Sequence, residues 1–107
     1  MISFDTNLLL YSLFPTAATM TSPTPGSTLA GSSVTFTWTT GTGASQYWLY
    51  VGTTGVGSAN IWNQNQGTAV SRLVTGIPAT TGTIYVRLWT LLAGGWEFND
   101  YEYTGAP

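Results

Sequence analysis

The sequence predicts a single all-β domain, a sandwich of about seven antiparallel strands with an extra apolar strand at its N-terminus. Short segments alternate apolar and polar residues, which places every second side chain on one face of a strand. Clusters of Gly, Pro, Asn and Ser separate these segments about every 8–12 residues. With 107 residues, of which 43% are hydrophobic, the chain has material for one core.

The alternation is clearest in the first two central strands. Residues 33–39 put Val34, Phe36 and Trp38 on one face, and we predict that Trp38 lies in the core. Residues 46–53 form the next strand, because they are rich in aromatic and β-branched residues. The inner-face residues of this strand are predicted to be Tyr47, Leu49 and Val51.

The middle of the chain is polar and rich in glycine. Residues 60–63 predict a short edge strand and residues 64–67 its turn, and residues 70–75 predict a further strand. The longest predicted strand covers residues 83–92, followed by a hairpin turn at residues 93–95. Ile84, Val86 and Leu88 share its inner face.

The last predicted strand, residues 96–104, has a conflict of phase. Trp96 and Phe98 occupy the same face as two acidic residues further along the strand. A β-bulge at Asn99 and Asp100 would resolve the conflict by shifting the phase by one residue, so we predict one there. Upstream, residues 22–26 contain two prolines and suit an edge segment.

Four segments together resemble fibronectin type III and related bacterial immunoglobulin-like modules. They are Val34-Thr-Phe-Thr-Trp38, Tyr47-Trp-Leu-Tyr-Val51, Gly76-Ile-Pro78 and Ile84-Tyr-Val-Arg-Leu88. The resemblance covers about residues 21–104 and implies an immunoglobulin/fibronectin type III-like sandwich in which strands 46–53 and 83–92 are neighbours. Such modules act as spacers, adhesion units or carbohydrate-binding units beside enzymes, and the fold alone does not choose among these roles.

The sandwich is predicted to occupy residues 20–107, which leaves residues 1–19 as a separate apolar strand and linker. Residues 1–13 resemble the opening strand of PIN-domain nucleases, in which an acid at the place of Asp5 binds a catalytic metal. A PIN site needs several converging carboxylates, and the other acids lie close together near the C-terminus. We therefore predict no nuclease activity, no metal site and no cofactor.

The N-terminal segment is apolar enough to require cover. Its residues Ile2, Phe4, Leu8 and Leu10 would otherwise face water. Either the segment packs within its own sandwich, or it adds as a donor strand to a neighbouring copy, and repeated head-to-tail addition would give a filament. It carries no Lys or Arg for a signal peptide, and its apolar run is far shorter than the roughly 18 residues of a membrane span.

Charge and composition exclude several functions. Charged residues make up 6% of the chain, and the two cations, Arg72 and Arg87, cannot neutralise a run of phosphates. The absence of Cys and His removes thiol nucleophiles, zinc clusters and His-based catalytic relays. We therefore expect neither an enzyme nor a nucleic-acid-binding protein. The composition is typical of secreted proteins of the bacterial cell surface.

Five residues are predicted to share the outer face of neighbouring strands. They are Trp48, Tyr50, Tyr85, Arg87 and Trp89. This face suits a subunit interface, since Trp, Tyr and Arg dominate binding energies. A platform for sugar rings and a ladder that merely stiffens the sheet are the alternatives.

The leading functional prediction is a non-catalytic extracellular structural protein. It would self-assemble into a filament or surface layer through its N-terminal strand and its aromatic face, so its main partner would be copies of itself. The alternative is a monomeric carbohydrate-binding or adhesion module, for which glycans are the predicted partner.

Overall fold

The computed structural model of the protein describes residues 14–107, and in this part of the chain seven strands form two antiparallel sheets without any helix. None of the described residues belongs to a helix that could cross a bilayer. The strands are β1 Met20–Ser22, β2 Val34–Trp38, β3 Gln46–Gly52, β4 Trp62–Gly67, β5 Ser71–Val74, β6 Thr83–Leu92 and β7 Gly95–Thr104. The predicted all-β class with about seven antiparallel strands is confirmed.

The two sheets divide the strands unevenly. One sheet has three strands in the order β1-β2-β5, and the other has four in the order β4-β3-β6-β7. β3 and β6 are hydrogen-bonded neighbours over their whole shared length, with Leu49 opposite Leu88. The predicted adjacency of these two segments is therefore confirmed.

The core lies between the sheets and follows the predicted alternation. In β2 the inner residues Val34, Phe36 and Trp38 are buried, while threonines alternate with them. The facing sheet contributes fully or almost fully buried side chains, namely Leu49, Val51, Ile84, Val86 and Leu88. Burying each such side chain contributes about 1.5–3 kcal/mol as an upper estimate.

Part of the N-terminal segment contacts this sandwich. Thr16 and Thr42 exchange two backbone hydrogen bonds of 2.9 and 3.0 Å. The Ala18 amide donates a 3.0 Å hydrogen bond to the hydroxyl of Thr90, which satisfies a polar side chain that is fully buried. Residues 1–13 lie outside the described part of the chain, so the separate role of residues 1–19 stays a prediction.

The prediction for the polar middle was wrong in one respect. Residues 64–67 are not a turn but belong to β4, where Gln64 and Asn65 lie opposite Leu49 and Trp48 of β3. The turn propensity of Asn65 and Gly67 is outweighed because β3 provides hydrogen-bond partners for the backbone groups of this segment. The strand ends at Gly67, which has a left-handed φ of 61°.

The predicted bulge in the last strand is also wrong. β6 and β7 pair without a shift from Thr83 opposite Thr104 to Leu92 opposite Gly95. Two residues, Ala93 and Gly94, connect the strands. No phase conflict arises, because Trp96 and Phe98 lie on the outer face of the sheet together with Asp100 and Glu102.

Candidate functional site

The outer face of the four-stranded sheet is the candidate site, and all five predicted residues lie on it. They are Trp48, Tyr50, Tyr85, Arg87 and Trp89, and each is partly exposed. They alternate with the buried residues of β3 and β6, so burial of the inner residues fixes their direction. In the register Trp48 lies opposite Trp89, and Tyr50 lies opposite Arg87.

Two further aromatic residues on this face were missed at the sequence level. Phe98 of β7 lies opposite Trp89, and Trp96 lies opposite Leu91. Both are exposed, at 45% for Phe98 and 40% for Trp96. The signal was present in the sequence, because both residues have the same parity as Asp100, but the predicted bulge at Asn99 and Asp100 placed them on the opposite face.

One half of this face is open to solvent and concave. Four rings line a pocket of about 210 Å³ there, those of Trp48, Tyr50, Trp89 and Trp96. We call these four residues the open half. The rings of Trp48 and Trp96 are nearly perpendicular, at 85° with centroids 6.1 Å apart. Tyr50 and Trp89 form a second edge-to-face pair at 73° and 5.8 Å.

Uncharged amides of β4 and β3 border the open half. The indole Nε1 of Trp48 donates a 2.8 Å hydrogen bond to Oδ1 of Asn63. The side-chain amide of Asn65 donates a 2.8 Å hydrogen bond to Oε1 of Gln46. These bonds fix the Trp48 ring and use the amide oxygens, so the border of the pocket is preorganised and neutral.

The other half of the face holds an ion pair. Arg87 binds Asp100 in a bidentate manner, with Nε to Oδ1 at 2.7 Å and Nη2 to Oδ2 at 3.0 Å. The pair forms because Arg87 of β6 lies opposite Asp100 of β7 in the register of the sheet. These hydrogen bonds raise the pKa of Arg87 above its usual value, although partial burial opposes the shift.

The guanidinium of Arg87 is also stacked. It lies 3.8 Å from the ring centroid of Phe98 and 5.5 Å from that of Trp89. The guanidinium also lies close to the β3–β4 loop, since a Cβ placed on Gly57 would be 3.2 Å from Cζ of Arg87. Arg87 is therefore packed between an aromatic ring and the backbone of the β3–β4 loop.

That loop, residues 53–61, covers this half of the face, and the missing side chain of Gly52 lets the loop pack closely against β3. A Cβ on Gly52 would collide with the hydroxyl of Ser58 and would lie 2.6 Å from the Ser58 backbone carbon. Asn60 closes the loop by accepting a 2.9 Å hydrogen bond from the Thr53 amide. We call Tyr85, Arg87 and Asp100, together with this loop, the covered half.

No catalytic arrangement is found among the described residues. Asp100 is bound to Arg87, Glu102 shares the outer face, and Glu97 has the opposite parity and is exposed. The part of the chain that the structure describes has no group of three or more His, Cys, Asp or Glu that could hold a metal ion. The predicted N-terminal members of the site, Ile2, Phe4, Leu8 and Leu10, lie outside that part, as does Asp5.

Comparisons with known proteins identify the fold alone. No protein-family model and no curated protein matches the sequence. Among solved structures, the chain is similar to an engineered protein from the Northeast Structural Genomics Consortium, with a TM-score of 0.63 and 17% sequence identity. The match covers 86% of this chain and only 20% of the engineered protein. It supports the architecture and says nothing of a ligand.

Proposed function

We propose that this chain is a fibronectin type III-like module that acts by recognition rather than by chemistry. The order of strands supports the family. In the constant type of immunoglobulin domain the fourth strand joins the sheet of the first two, whereas here β4 pairs with β3 in the sheet of β6 and β7. The four segments that resemble the family coincide with β2, β3, the β5–β6 connection and β6.

The observation that supports recognition is the pocket of the open half. Four aromatic rings stand on a sheet that is rigidly backed by buried residues, and their exposed surfaces converge on one concave space. A concave, mostly apolar site with a few fixed polar groups at its border is the usual form of a ligand site. The neighbouring amides and the low charge fit a partner that is not strongly anionic.

Exposed apolar surface favours self-assembly as a second candidate. Trp96 of the open half and the neighbouring Phe98 are both exposed on the edge strand β7. Trp, Tyr and Arg are the residues that dominate protein interfaces. In this proposal a second copy covers the aromatic face, and the apolar residues 1–13 add a strand to a neighbour. Both proposals place the protein at a bacterial cell surface, where a nearly uncharged domain without Cys would serve as a structural or adhesive unit.

Sedimentation velocity and ligand titration of the whole chain separate the two candidates. Recognition predicts a monomer at micromolar concentration whose tryptophan fluorescence changes saturably with a ligand from a panel of neutral sugars and small cations. Trp96→Ala should abolish that change. Leu73→Ala should preserve it, since Leu73 is 53% exposed on β5 of the other sheet.

Three results are decisive in this pair of measurements. Concentration-dependent assembly that Trp96→Ala prevents would establish the second candidate. Absence of binding across the panel, or equal binding by Trp96→Ala and the wild type, would overturn recognition by the open half. A wild type that stays monomeric at all concentrations would overturn self-assembly.

A further inference from the structure

The open half has the arrangement of an aromatic cage. Its two edge-to-face pairs, Trp48 with Trp96 and Tyr50 with Trp89, line one space. The face of an aromatic ring is electron-rich and attracts a cation, most strongly in the case of Trp. Three of the four rings are indoles.

The same aromatic surface already binds a cation of the protein itself. The guanidinium of Arg87 lies over Phe98 and close to Trp89, and Trp89 also lines the pocket. The second cation, Arg72, lies 5.9 Å from the ring centroid of Trp62. Both cations of the chain are therefore stacked on aromatic rings, and Asp100 neutralises the one nearer to the pocket.

The polarity of the lining narrows the class of cation. None of the four lining side chains is charged, and the indole N–H of Trp48 is already bonded to Asn63. A primary ammonium would lose hydrogen bonds to water on entering such a pocket. A quaternary ammonium has no N–H group and loses none.

The size of the pocket and the net charge of the chain are both consistent with a quaternary ammonium ligand. The pocket, at about 210 Å³, is smaller than the roughly 300–1,000 Å³ of sites for drug-sized ligands and suits a head group. The chain has a net charge of −2 and contains only two cationic side chains, so its long-range field does not repel a positive ligand.

We propose that the open half binds a quaternary ammonium group, such as a trimethylammonium head group, by cation–π attraction. This proposal rests on the proposed recognition function and names the ligand class of the same site. In this proposal Trp48, Trp89 and Trp96 supply ring faces to the cation. Tyr50, two residues after Trp48 on β3, closes the space.

The test compares choline with its neutral isostere 3,3-dimethylbutan-1-ol, in which carbon replaces the charged nitrogen. Both are titrated into the whole chain while the indole N–H signals are followed by NMR. Choline should bind about tenfold more tightly than the alcohol, which corresponds to about 1.4 kcal/mol of cation–π attraction. Methyl glucoside is titrated in parallel as the neutral sugar.

Matched variants show whether the rings act through their π-systems. Tyr50→Phe keeps the ring and should leave choline binding within about twofold, whereas Tyr50→Leu should weaken it several-fold. Trp48→Leu and Trp96→Leu should reduce it further. Unchanged far-UV circular dichroism and melting temperature would show that the variants are folded.

The outcomes also separate this inference from the proposed function. Equal affinity for choline and the alcohol would overturn cation recognition. Binding of methyl glucoside without binding of choline would leave the recognition function standing and refute the quaternary ammonium as its ligand. No binding by any of the three, together with a negative ligand panel, would overturn both.

Discussion

The open and covered halves lie side by side on one sheet and are built from the same kinds of residue, yet they differ in what they offer to a partner. In the covered half, the cation Arg87 is already matched by Asp100, Phe98 and the Gly57 backbone. In the open half, the rings are held in place but their space is unfilled by any described residue. The β3–β4 loop therefore decides which part of the aromatic face is available for binding.

The largest effect on the free energy of unfolding is expected from Gly52→Ala, which changes the contact between β3 and the loop that covers Arg87. The new methyl group would collide with Ser58, so the loop must move, and overpacking of this kind costs about 1–3 kcal/mol. Urea unfolding measures the loss. Gly94→Ala is the control, since a Cβ there would meet nothing within 4 Å. Equal losses in the two variants would contradict the packing of the loop on Gly52.

A smaller effect on the free energy of unfolding is expected at alkaline pH. Ionisation of the buried Tyr103 should destabilise the core, whereas the ion pair of Arg87 and Asp100 on the outer face should persist. Burial raises the pKa of Tyr103, an inner residue of β7 whose hydroxyl donates a 2.8 Å hydrogen bond to the Pro23 carbonyl. The raised pKa of Arg87 preserves the ion pair of the covered half. The contribution of this ion pair to the free energy of unfolding should therefore persist into the alkaline range.

The sign of the Tyr103 effect follows from which state ionises first. A free tyrosine ionises near pH 10, and the folded state resists ionisation, so the stabilisation is complete below about pH 10 and is lost as pH rises towards the higher folded pKa. The free energy of unfolding should fall there by at most about 1.4 kcal/mol per pH unit for this group. Tyr103→Phe should flatten the decline, and an unchanged decline would exclude Tyr103 as its source.

The smallest effect is expected from the ion pair of the covered half. Its side chains are 19% exposed for Arg87 and 32% for Asp100, so solvent screens part of the attraction. A double-mutant cycle of Arg87→Met with Asp100→Asn should give a coupling of about 0.2–1 kcal/mol that declines with salt. A cycle with Glu97→Gln, an acid of opposite parity, should give none. Equal coupling in both cycles would contradict a specific pair.

Alternation in the sequence was a sufficient guide where one face of a strand is fully buried. Burial of Leu49 and Leu88 leaves no choice of register, so β3 and β6 and the placement of Trp48 and Trp89 could be read directly. Sequence reasoning failed for Asn65, which was assigned to a turn, and for Phe98, whose place on the outer face was missed. Both lie on the edge strands β4 and β7, and Phe98 is 45% exposed although it is apolar, so apolar character alone did not report its direction.

Composition and a local period of two were enough to predict a β-protein with one core, few charges and a partly aromatic outer face. The division of that face into two halves depends on tertiary contacts. The loop of residues 53–61 folds back onto Gly52 and covers Arg87, while Trp96 from β7 completes the pocket with Trp48 from β3. Those contacts join residues far apart in the chain, and no local pattern encodes which of them will meet.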